Sequence, residues 1–181
     1  MIDDILKFNR EFVKNKGYEP FITDKYPKNK TVIVTCMDTR LVWLLPAALG
    51  FKNGDFKIIK NAGGVITSAF DSTMRSLLVC IYELGVQEIM VIGHTNCGMQ
   101  GLDTKEMIHR MKERGVPEEH IELMRHCGID LDKWLAGFDE TDCAVLDTVE
   151  LIRNHPLIPK DVVIRGYIMD SVTGELTPVT R

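Results

Sequence analysis

Four short runs of consecutive apolar, largely β-branched residues decide most of what this chain can fold into. They are Thr31-Val32-Ile33-Val34-Thr35, Phe56-Lys57-Ile58-Ile59-Lys60, Glu88-Ile89-Met90-Val91-Ile92 and the stretch from Asp161 to Ile168. Runs that are apolar on successive positions suit strands covered on both faces, as in a parallel sheet. The segments between them carry a helical period. Residues 66–84 set Met74, Leu77, Leu78, Ile81 and Leu84 on one face and stop at Gly85. Residues 139–154 do the same with Val145, Val149 and Ile152. A helix is expected from Cys97 or Gly98 to about Arg114, after a third strand broken by Gly93, and another opens at Pro117. Ile2, Ile5, Leu6, Phe8, Phe12 and Val13 predict an N-terminal helix over residues 1–16. Thr173-Gly174 turns the chain back into a short edge strand over 175–179. Strands alternating with helices predict an α/β fold: a mostly parallel central sheet of about four strands plus an edge strand, flanked by helices. No linker divides residues 1–181, so one domain is expected.

Composition removes several functional classes. The net charge of -4 offers no basic footprint for nucleic acid. No apolar run is long enough to span a bilayer, and Met1-Ile2-Asp3-Asp4 is acidic where a secretory leader is basic, so a cytoplasmic protein is expected. Five scattered cysteines read as free thiols in that compartment.

In open parallel sheets, sites form beyond the carboxyl ends of the strands. Three unusual strings stand there: Cys36-Met37-Asp38-Thr39-Arg40, Asn61-Ala62-Gly63-Gly64 and His94-Thr95-Asn96-Cys97. Cys36, His94 and Cys97 form a two-thiolate, one-imidazole set, which suits zinc with a fourth position open. Two thiolates cancel the charge of Zn²⁺, so bound water is acidified less than at an all-imidazole site and activity should rise on the alkaline side. Asp38 can accept a hydrogen bond beside such a metal or bind the metal itself. Arg40 decides between these by holding Asp38 in a bidentate pair. Taken singly, Cys36 reads as a core thiol, His94 as a satisfied histidine and Asp38 with Arg40 as a structural ion pair; it is their joint placement that points to a site. The paired glycines Gly63 and Gly64, after Asn61, let backbone approach a small ligand or a neighbouring subunit, or form a plain tight turn. Cys80 reads as core. His126-Cys127 is a decoy metal pair, and Cys143, His109, His120 and His155 read as surface or packing residues.

The strings C-M-D-T-R, K-N-A-G-G and G-H-T-N-C-G-M, with G-Y-I-M-D-S-V-T-G-E-L near the end, resemble the β-class carbonic anhydrases, most closely their short archaeal- and Gram-positive-type members. The resemblance covers nearly the whole chain. It implies one Zn²⁺ per chain on Cys36, His94 and Cys97, and a catalytic dyad of Asp38 and Arg40. It implies a zinc lyase, carbonate dehydratase, in which zinc-bound hydroxide attacks carbon dioxide to give bicarbonate and a proton. It also implies a homodimer or larger homo-oligomer whose N-terminal helices pack on the partner subunit. Lys60 and Asn96 stand where the family commonly has arginine and aspartate, and Ile33 where its bicarbonate-regulated members carry tryptophan, which favours a site open at neutral pH. Two alternatives remain: hydrolysis of CS₂ or COS at the same zinc, and a non-catalytic, zinc-stabilised bicarbonate sensor.

Overall fold

The computed structural model describes residues 1–180. Five strands form one sheet in the order β2-β1-β3-β4-β5: β1 (Thr31–Cys36), β2 (Phe56–Asn61), β3 (Glu88–His94), β4 (Val163–Met169) and β5 (Leu176–Val179). The first four are parallel, and β5 returns antiparallel on β4. The described residues also form the α-helices α1 (Ile2–Lys14), α2 (Leu41–Ala48), α3 (Ser72–Tyr82), α4 (Thr104–Glu113), α5 (Glu118–His126), α6 (Leu131–Trp134) and α7 (Thr141–Asn154), of which α2, α3 and α7 pack on the sheet.

Every residue of β1 is buried, which accounts for its unbroken apolar run. On one sheet face Val32, Val34, Ile89 and Val91 pack with Met74 and Leu77 of α3 and Val149 and Ile152 of α7. On the other, Ile33, Ile92 and Met169 pack with Leu41 and Leu45 of α2. After β1 the chain crosses to β2 on one side, and β3 lies on the other. The carboxyl ends of β1 and β3 therefore flank a point where the strand order reverses, and a crevice opens there.

The structure corrects four local expectations. Gly93 does not end the third strand, which continues to His94. A Cβ at Gly93 would stand 2.8 Å from Val145 Cγ2 and 2.9 Å from Thr141 Cγ2, so this glycine lets α7 lie close to the sheet. The helix expected from residue 66 starts at Ser72, where the Asp71 carboxylate caps Met74 N–H at 2.7 Å. The preceding segment bonds elsewhere, with Ile66 N–H donating to Thr148 Oγ1 of α7. The helix expected from residue 97 or 98 starts at Thr104, capped by Asp103, because Gly101 N–H is taken by the Phe138 carbonyl. Helix α2 was not anticipated: Leu-Val-Trp-Leu-Leu-Pro-Ala-Ala has no polar face to reveal a helical period, and Pro46 lies inside it.

Helix α1 spans the expected residues but buries none of them, leaving Phe8 73% exposed on an apolar face with Ile5 and Leu6. Among the described residues no helix is long and apolar enough to cross a membrane.

Candidate metal centre

Strand register brings the candidate residues together. Cys36 ends β1 opposite Asn61 of β2, and His94 ends β3 opposite Met169 of β4. Cys97 follows in the turn after His94. The two Sγ atoms and a ring nitrogen of His94 all lie within 4.8 Å of one another, and all three residues are buried.

The details suit a tetrahedral ion. Cys36 Sγ and Cys97 Sγ are 3.8 Å apart. Two sulfurs each about 2.3 Å from one zinc at a tetrahedral angle stand about 3.8 Å apart. His94 is 0% exposed, and its Nδ1–H points to the Thr95 carbonyl at 2.9 Å. That contact leaves the Nε2 lone pair directed at the sulfurs, as a ligating imidazole requires. Nε2 is the one fully buried side-chain polar atom among the described residues with no hydrogen-bond partner, an arrangement that is costly unless something is bound there. Burial holds the imidazole below its usual pKa and so in the neutral, ligating form. Burial also pushes the Cys97 thiol up, a penalty that a cation at the cluster would reverse.

Asp38 sits at the edge of this cluster, its Oδ2 3.9 Å from His94 Nε2. Arg40 grips it in a fork: Nε donates to Oδ1 at 3.0 Å, Nη2 to Oδ2 at 2.8 Å, and the Arg40 backbone N–H also donates to Oδ1 at 2.9 Å. These bonds, the side-chain pair foremost, hold the Asp38 carboxyl far below the usual carboxylate range. It is therefore ionised and accepts hydrogen bonds only. Arg40 reaches further, from Nη2 to the Asn96 carbonyl at 2.9 Å and from Nη1 to Ser171 Oγ at 3.1 Å.

Asn61-Ala62-Gly63-Gly64 forms a 3₁₀ turn against β1. The Asn61 side chain braces it, donating to the Val65 carbonyl and Thr73 Oγ1 and accepting from Val65 N–H. Gly64 has φ +68°, and a Cβ there would stand 2.7 Å from Cys36 N. Ala62 and Gly63 line a cavity of about 300 Å³ with Met37, Met99, Asp38 and both thiols. Asn61 supports this cavity from behind and is not part of its lining. Lys60 Nζ donates to the Cys36 carbonyl at 3.3 Å, and burial lowers the pKa of its ammonium. No second metal-competent group of three such side chains occurs among the described residues. Cys127 and Cys143 are exposed, and Cys80 faces the core from α3.

The sequence assigns no role to Thr95 or Ser171, although their hydroxyls meet at 3.1 Å and Ser171 accepts from Arg40. No spacing signal links two residues that come together only through the pairing of β3 and β4.

Comparison with known proteins places the arrangement. A family model described as carbonic anhydrase matches residues 31–176. The Bacillus subtilis protein YtiB, provisionally named a carbonic anhydrase, is 47% identical over 176 residues, 97% of this chain and 94% of its own. A carbon disulfide hydrolase of Acidithiobacillus thiooxidans is 35% identical over 162 residues, 84% of this chain and 78% of its own. The crystal structure of a β-carbonic anhydrase isoform from the protozoan Trichomonas vaginalis superposes with a TM-score of 0.90 at 36% identity, covering 100% of this chain and 98% of that one.

Proposed function

Because the chain belongs to the β-class carbonic anhydrase family, we propose that it catalyses the reversible hydration of carbon dioxide to bicarbonate and a proton, with Cys36, His94 and Cys97 holding one zinc ion. The observation that carries this reading is the buried, partnerless His94 Nε2 facing two thiols at tetrahedral spacing. A zinc ion held there would supply Lewis-acid activation of water.

The chain's own residues do the rest. Asp38, kept ionised by Arg40, accepts a hydrogen bond from the reacting water and so fixes which lone pair faces the substrate. Arg40 holds that carboxylate by both oxygens and offsets its charge. Met37, Ala62 and Met99 offer apolar walls that suit a small linear molecule without hydrogen-bond donors. Bicarbonate, larger and charged, leaves such a pocket readily.

In this reading the chain acts as one domain in the cytoplasm. The exposed apolar face of α1 packs on a second copy, giving a homodimer or a larger assembly of dimers.

Zinc content per chain and stopped-flow hydration of carbon dioxide test the proposal, on the wild type and on Asp38→Ala. The expected result is one zinc per chain, hydration by the wild type at pH 8–9, and a rate for the variant lower by about a hundredfold or more. A folded, fully metallated wild type with no hydration refutes it. The relatedness to a carbon disulfide hydrolase favours one second reading, and turnover of CS₂ exceeding that of CO₂ selects it.

A further inference from the structure

We propose that the hydroxyl pair of Ser171 and Thr95 positions Arg40, and through Arg40 keeps the Asp38 carboxylate off the ligand cluster. This rests on the zinc-enzyme reading above.

The need for such a device is geometric. With Oδ2 only 3.9 Å from His94 Nε2, an ionised carboxylate beside a cation is drawn onto it, which would fill the open position. The opposing pull is the Arg40 fork, whose long side chain is 39% exposed and is not fixed by packing of its own. What fixes it lies on the far side of the guanidinium. Ser171, 4% exposed, directly follows Asp170 at the end of β4 and accepts from Nη1 at 3.1 Å. A guanidinium only donates, so Ser171 Oγ accepts there and keeps its own hydrogen for Thr95 Oγ1, 3.1 Å away. Thr95 Oγ1 also accepts the Ser171 backbone N–H at 3.0 Å, and Thr95 N–H donates to the Met169 carbonyl at 3.1 Å.

The two hydroxyls are thereby tied to the ends of β3 and β4, the same scaffold that carries His94. Asn96 completes the cradle: its left-handed backbone, φ +54°, turns its carbonyl to Nη2. Four of the five guanidinium N–H groups are thus spoken for, two by the carboxylate and two by the scaffold, counting Nη2 toward both Asp38 and Asn96. Neither hydroxyl lines the cavity, so the pair acts through Arg40 rather than on substrate.

The test uses Ser171→Ala, Thr95→Val, the double variant and Ser171→Thr, each loaded with cobalt at a fixed pH of about 8, where thiolate-ligated metal sites are expected to be active. The visible spectrum and the relaxation of solvent protons report whether Asp38 has become a cobalt ligand. Loss of one charge-assisted hydrogen bond should raise the carboxylate-bound population, and lower kcat/KM per metal ion, by about five- to tenfold. The double variant should go no further than Ser171→Ala, since the hydroxyls work as one unit, and Ser171→Thr should restore the wild-type spectrum. A purely structural pair would lower thermal stability and leave the spectrum and kcat/KM per metal ion unchanged, which overturns the proposal. If Ser171→Ala does not fold, Thr95→Val carries the same spectral expectation. A spectrum that responds in a protein without CO₂ hydration upholds the positioning role and refutes the proposed reaction; hydration with an unresponsive spectrum does the reverse.

Discussion

Replacing Gly64 by alanine should damage both the fold and the metal site, and Gly50→Ala isolates the reason. Both glycines have φ +68°. An alanine at either costs about 1–2 kcal/mol from the left-handed backbone alone. At Gly50 the added methyl meets nothing within 4 Å. At Gly64 it would stand 2.7 Å from Cys36 N, 2.8 Å from the Thr35 carbonyl carbon and 3.0 Å from Thr35 Cα. Ordinary contact begins at 3.4 Å, so the turn and β1 must part by several tenths of an ångström. Neither yields readily: β1 is buried throughout and hydrogen-bonded to β2 and β3, and the Asn61 side chain braces the turn. Overpacking of this kind costs about 1–3 kcal/mol.

The difference between the two variants therefore excludes the φ penalty and should be about 2 kcal/mol, or about 4–8 °C in melting temperature for a chain of this length. Urea unfolding of metal-free protein at equal protein concentration measures it, and competition with a chromophoric chelator measures zinc affinity. Because Cys36 is the residue displaced, Gly64→Ala should also lose zinc affinity, whereas Gly50→Ala should keep it. Equal unfolding midpoints for the two variants would show that the turn can move away freely, and would refute the claim that Gly64 is needed for close approach.

Asn61→Ala removes three hydrogen bonds behind the cavity and should cost about 1–3 kcal/mol in urea unfolding, together with a several-fold loss of CO₂ hydration. Phe8→Asp should leave the circular dichroism of the chain intact, since α1 buries nothing within it, while light scattering shows dissociation to monomers; an unchanged mass would refute the proposed partner contact. For pH, the Asp38 carboxyl lies below its unfolded value of about 3.9, so its stabilisation is complete above that value and is lost as pH falls through the depressed one. Metal-free wild type should therefore exceed Asp38→Asn in stability by a constant margin at pH 5–8, and that margin should begin to shrink as pH falls below about 4, as denaturation at pH 7, 4 and 3 will show.

The parts of this molecule that could be read from the chain are those in which one local pattern answers to one environment. The run over Thr31–Cys36 is continuously apolar because every residue of β1 is covered, and the same holds less completely for the other strands. Strands that run parallel bring their carboxyl ends to one side, so strings beginning at Cys36, Asn61 and His94 meet without any contact having to be inferred. Legibility fails where the determining partner is distant. Helix α2 carries no polar stripe although it buries only Leu41 and Leu45 and leaves Val42 and Trp43 exposed, so no helical period marks it, and the start of α3 depends on Thr148, 82 residues away, taking the Ile66 N–H. Gly93 looked like a strand end because glycine is a poor strand former, yet it is required by the approach of α7. Ser171 and Thr95 are the extreme case. They lie 76 residues apart, and nothing about a serine after an aspartate marks it as a partner of an arginine. The register that pairs His94 with Met169 puts Thr95 within reach of Ser171 and Ser171 within reach of Arg40, so the ligand types of the site are written in short strings while their alignment is written in the sheet.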